Sequence, residues 1–93
     1  MNAQESAETL ALRAMAWLLA DDDRAAGFLA ATGAAPGDLA GQAGDPQFLG
    51  AVLDFLLTDD ALVTGFCDAA NLPYSAPMQA RAGLPGFSQM HWT

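Results

Sequence analysis

The sequence predicts an all-α fold of five or six helices, and three observations carry that reading. Apolar residues fall in helical bands, no segment alternates with period two, and the chain nearly repeats itself. Trp17-Leu18-Leu19-Ala20-Asp21-Asp22 returns 38 residues later (17 to 55) as Phe55-Leu56-Leu57-Thr58-Asp59-Asp60. Gly27-Phe28 likewise returns as Gly65-Phe66, and from Trp17 to Gly33 seven of seventeen positions are identical to their counterparts. A repeat of this period means one supersecondary unit built twice.

The first helix is expected from about Ala3 to Ala20, with Asn2 as cap and Glu5 in the reciprocal position. Leu10, Leu12, Met15, Trp17, Leu18 and Leu19 cover more than half of its circumference, so it must be covered on several sides. Asp-rich turns follow, and a second helix is expected from Asp22 to Thr32, ended by Gly33 in a left-handed conformation. A short third helix near Pro36 to Ala43 carries Leu39. Asp45-Pro46 supplies a cap and a first-turn proline for a fourth helix running to about Leu57. That helix is as broadly apolar as the first, with Gln47, Asp54 and Thr58 on one narrow polar strip. The fifth is expected from Asp60 to Ala70, ended by Asn71, and a short sixth near Ser75 to Ala82 carries Met78. Residues 1–83 then form a single helical domain of two similar three-helix units, about 3–43 and 44–83. The first and fourth helices pack centrally through Trp17, Leu18, Phe55 and Leu56. The Gly83-Leu84-Pro85-Gly86 break opens a flexible C-terminal tail, 84–93.

Ninety-three residues suit one small domain with a modest core. Alanine supplies 21 positions while Lys and Ile are missing, a bias that a GC-rich genome explains better than a functional ban on lysine. The net charge of −8, from three Arg against eleven acids, argues against nucleic acid and anionic membranes. It permits a basic partner. The start of the chain is acidic and polar, unlike a signal peptide, and the longest apolar run, Ala14 to Ala20, is too short for a bilayer. A single cysteine fits a reducing cytoplasm.

Chemistry is harder to find. The runs Asp21-Asp22-Asp23 and Asp59-Asp60 invite a cation, yet neither has the alternating ligands, central Gly and late Glu of a calcium loop. Caps on helix N-termini account for them better, and for Asp38 and Asp45 as well. Asp54 and Asp68 lie inside helices and read as solvated; if buried, either would need Arg13, Arg24 or Arg81. Cys67 replaces Leu29 of the first repeat and reads as a small hydrophobe, with the sole histidine, His91, far off in the tail. Mid-helix Gly27 and Gly65 each cost about 1 kcal/mol relative to Ala, which points to close approach of another backbone. No phosphate loop, zinc cluster or Ser/His/Asp set is legible, so no catalytic residue, cofactor or metal is expected. Helix–turn–helix DNA reading fails on electrostatics, because the second helices share one Arg.

The strings Ala16-Trp17-Leu18-Leu19, Gly27-Phe28-Leu29-Ala30-Ala31-Thr32-Gly33, Asp45-Pro46-Gln47-Phe48-Leu49 and Val52-Leu53-Asp54-Phe55-Leu56-Leu57 resemble a family of small alphaproteobacterial proteins classed only as a domain of unknown function. The resemblance covers roughly Ala7 to Ala82. It implies an all-helical cytoplasmic protein from a GC-rich bacterium and brings no activity or ligand.

The expected function is therefore a non-catalytic protein–protein interaction or adaptor module, with a peptide or basic protein surface as partner. Phe87, Met90 and Trp92 in the tail are the candidate partner contacts. The alternative is a small apolar ligand held between the two units, near Met15, Phe28, Leu53 and Phe66. Homodimerisation, with a second copy completing the apolar surface of the first or fourth helix, is a third reading.

Overall fold

A computed structural model describes residues 2–85. Six helices and no strand occur among them: α1 (Ala3–Leu19), α2 (Asp22–Thr32), α3 (Leu39–Gln42), α4 (Pro46–Leu57), α5 (Asp60–Ala70) and α6 (Ala76–Ala82). None of these is long and apolar enough to cross a membrane.

Local chemistry sets most boundaries. At α1 the Glu5 N–H donates to Asn2 Oδ1 (2.8 Å) while Asn2 Nδ2 donates to Glu5 Oε1 (2.9 Å). Asp21 accepts from the Arg24 N–H, Asp45 from Gln47 and Asp59 from Ala61, at 2.8–3.0 Å. Each satisfies a donor that its helix leaves open. Gly33 and Asn71 end α2 and α5 with φ of 73° and 58°, the left-handed region where glycine and asparagine are least penalised. The third helix departs from expectation. A 3-10 turn, Pro36–Asp38, precedes the four-residue α3, because Gly37, Gly41 and Gly44 leave too little helix propensity for a longer element.

The core lies around α4, which packs on α1, α2, α5 and α6. It buries Phe48, Leu49, Val52, Leu53 and Leu56. The buried face of α1 is Ala7, Ala11, Ala14 and Leu18, stepping by four, three and four. This corrects the expectation that its large residues lead into the core: Leu12 is 39% exposed, and Leu10, Met15, Trp17 and Leu19 are only partly buried. Small side chains at a helix contact shorten the distance between axes, so alanine is what lets α4 and α6 close on α1. A Cβ on Gly83 would stand 3.3 Å from the Ala7 Cβ, which shows how near the end of α6 comes to α1.

Of the four residues expected at the centre, Leu18 and Leu56 are fully buried while Trp17 and Phe55 splay outward. Each covers a glycine of the other repeat. A Cβ on Gly65 would lie 3.0 Å from Trp17 Cζ2, and one on Gly27 would lie 3.5 Å from Phe55 Cζ. Ring contacts follow the same exchange, Trp17 with Phe66 (6.0 Å between centroids) and Phe55 with Phe28 (5.8 Å). An aromatic ring, rather than a backbone, thus faces each glycine, tightly at Gly65 and at ordinary contact distance at Gly27.

The third helices of the two halves differ in length and packing. α6 wedges against both α1 and α4, whereas α3 packs chiefly on the turn before it. Met78, the large apolar residue of α6, faces outward. It is 50% exposed, and α6 buries Pro77, Ala80 and Arg81 instead. Packing also runs past residue 83, since Leu84 is buried.

Candidate functional site

A surface groove lies between α2 and α4. Phe55 rests over Gly27, its Cζ 3.5 Å from where a Cβ would stand. Ala31 and Thr32 on one side and Ala51 and Thr58 on the other keep the walls low. The resulting groove, floored by Phe48 and Phe55, holds about 400 Å³. Its walls are rigid elements. The Thr32 hydroxyl donates back to the Phe28 carbonyl (2.9 Å) and the Thr58 hydroxyl to the Phe55 carbonyl (2.6 Å).

One charged residue lines this groove, Asp54, and it is not simply solvated as the helical wheel implies. It is 35% exposed and meets Arg81, whose side chain is 5% exposed. Arg81 Nε donates to Oδ1 (2.6 Å) and Nη2 to Oδ2 (3.3 Å), a two-pronged pair that fixes the carboxylate's orientation. Room for the guanidinium comes from Gly50, where a Cβ would lie 3.1 Å from Arg81 Cζ. Arg81 Nη1 also donates to the carbonyls of Leu84 (3.4 Å) and Pro85 (3.1 Å), tying down the chain beyond α6. Sequence reasoning named Arg81 only as one of three partners for a buried aspartate. Its 27-residue separation from Asp54 carries no local signal.

A second groove of about 300 Å³ runs between α1 and α5, lined by Arg13, Ala16, Trp17, Phe66, Ala69 and Ala70. Arg13 Nη2 donates to the Ala70 carbonyl (3.2 Å). Trp17 is held on another side by Arg24, whose Cζ stands 3.8 Å from the ring centroid and whose Nη2 donates to the Trp17 carbonyl (2.8 Å).

The remaining candidates separate. Cys67 is buried, and that burial, then the nearby Asp68 charge, pushes its thiol above the usual range, which keeps it protonated and unreactive at neutral pH. The exposed Asp68 accepts from the Tyr74 hydroxyl (2.7 Å), and this hydrogen bond, with the aspartate's charge, raises the phenol. The acidic runs stand at the starts of α2 and α5, and among the described residues no three His, Cys, Asp or Glu gather as a metal site. Phe87, Met90, His91 and Trp92 lie outside the described residues.

A small all-helical protein with open surface grooves is the class these features define. The chain belongs to the family described as protein of unknown function (DUF3572), whose family model matches residues 4–87. No curated protein and no solved structure matches it.

Proposed function

We propose that this chain is a non-catalytic protein–protein interaction module whose docking surface is the α2/α4 groove. The observation that carries this is the groove itself: an aromatic floor, low alanine and threonine walls, and one carboxylate whose direction is fixed by Arg81. Grooves of this kind take a helix or an extended segment with a large apolar anchor. An acid total of eleven against three arginines favours a basic partner.

A small apolar ligand between the helical halves has less room. Phe28, Leu53 and Phe66 are 0%, 0% and 1% exposed, so their own side chains fill the space such a ligand would take. It would have to use the open groove instead.

The test is co-purification from native lysate with the protein as bait, beside Ala31→Trp, which places an indole in the groove from an exposed position. A stoichiometric partner lost from the variant supports the reading. A partner retained equally by both, or turnover of a substrate by the purified chain, overturns it.

A further inference from the structure

We propose that residues 86–93 of this chain dock in its own α2/α4 groove and occupy it until a partner displaces them. The proposal deepens the docking reading above and rests on it for the groove. Gly86-Phe87-Ser88-Gln89-Met90-His91-Trp92-Thr93 lies outside the described residues, but the point from which it starts is fixed beside the groove. Arg81 Nη1 donates to the Pro85 carbonyl (3.1 Å), while Nε of the same guanidinium donates to Asp54 Oδ1 (2.6 Å). Asp54 lines the groove. One buried planar group therefore holds the last described residue to the groove's charged edge.

The length of the segment suits the site. Eight extended residues reach about 26 Å, at about 3.3 Å per residue. Phe48 to Thr58 runs along α4 for about 15 Å, at about 1.5 Å per residue. The reach thus covers the groove and the short crossing from Arg81.

The chemistry of the segment suits it as well. Phe87, Met90 and Trp92 are three large apolar side chains that gain by leaving water, and the floor of Phe48 and Phe55 is aromatic. Met90 and Trp92 stand two apart, the spacing that shares one side of an extended segment. All eleven acids stand at or before Asp68, so the segment brings no acidic side chain towards Asp54. Gln89, His91 and Trp92 bring N–H donors instead. The Asp54 carboxylate is 35% exposed and keeps acceptor positions beyond the two that Arg81 uses. The α1/α5 groove is lined by Arg13 and no carboxylate, so it offers these donors no such acceptor.

A nitroxide attached at Thr93→Cys tests this in the full chain, because Cys67 is buried and protonated and does not compete for the label. The expected result is broadening of the Ala31, Thr32, Ala51 and Thr58 amide signals while those of Ala16 and Ala69 stay sharp. Ala31→Trp, shown by circular dichroism to fold, should remove that pattern. Equal broadening at both grooves, or a pattern indifferent to Ala31→Trp, overturns the proposal. So does broadening of an isotope-labelled chain by a separate spin-labelled one, which would mean that a second copy takes the segment. If the pattern is absent but Ala31→Trp still loses a co-purified partner, the docking reading stands without self-occupancy. If the pattern is present and no partner is lost, the segment is the groove's occupant and the external partner is what fails.

Discussion

Gly27→Ala and Gly65→Ala are the same change at repeat-related positions, yet they should shift stability in opposite directions. Each glycine sits inside a helix, where alanine gains roughly 0.5–1 kcal/mol by restricting the unfolded chain and favouring the helix. At Gly27 the new Cβ meets Phe55 Cζ at 3.5 Å, an ordinary contact, so the gain is kept. At Gly65 it meets Trp17 Cζ2 at 3.0 Å and Cη2 at 3.2 Å, closer than carbon atoms rest. The indole cannot retreat cheaply, because Arg24 lies 3.8 Å from its centroid and Phe66 packs at 6.0 Å. Overpacking of this kind costs about 1–3 kcal/mol against the propensity gain of roughly 0.5–1 kcal/mol, leaving a net loss of up to about 2.5 kcal/mol. Thermal unfolding followed by circular dichroism resolves the difference, since 1 kcal/mol moves Tm by about 4–8 °C in a domain this small. Gly27→Ala should raise Tm and Gly65→Ala should lower it. Equal stabilisation by both would refute the argument, because it would mean the Trp17 ring moves aside freely.

Three further outcomes follow from the geometry. Asp54→Ala strips the buried Arg81 guanidinium of its carboxylate and should cost about 2 kcal/mol in urea unfolding, less than a fully buried pair because Asp54 is partly exposed. Stability should fall in alkaline solution: Cys67 and Tyr74 both have raised values in the fold, so the unfolded chain ionises first, and their contribution, complete below the ordinary thiol value of 9.0, is lost as pH climbs through the folded values. A urea midpoint that holds constant across that range would contradict this. Ending the chain after Gly83 rather than after Pro85 removes buried Leu84 and two carbonyl acceptors of Arg81, and should lower stability by about 2 kcal/mol in the same assay.

Helix boundaries were legible because capping is local chemistry. Asn2, Asp21, Asp45 and Asp59 each bond a backbone N–H two or three residues ahead, and Gly33 and Asn71 take left-handed φ without help from the rest of the fold. Faces were less legible. On α1 the large side chains point in nearly every direction, and only the approach of α4 and α6 selects Ala7, Ala11 and Ala14 as the buried line. On α6 the large apolar Met78 is exposed, while buried Arg81 finds its partner on another helix. The repeat announced two matched aromatics and two matched glycines. That each aromatic crosses to the other half's glycine is a property of packing, which the strings alone do not contain.

The same repeat explains why the ion pair exists on one side only. Counting back 38 residues from Gly50, Asp54 and Arg81 gives Leu12, Ala16 and Ala43. All three members of the cluster are thus replaced together in the first half, and the replacements are consistent with one another. Ala43 sends no guanidinium back, so Ala16 has no charge to answer, and Leu12 has nothing to make room for and stays 39% exposed. In the second half α6 packs on α4, and its arginine is accommodated only because position 50 is glycine and position 54 is acidic. An arginine buried without those two changes would clash and leave an uncompensated charge, so the three substitutions are physically dependent on one another. The consequence for the grooves is direct. Divergence that anchored α6 also placed a carboxylate of fixed direction in the α2/α4 groove, and left its counterpart with the alanine of position 16 and the charge of Arg13.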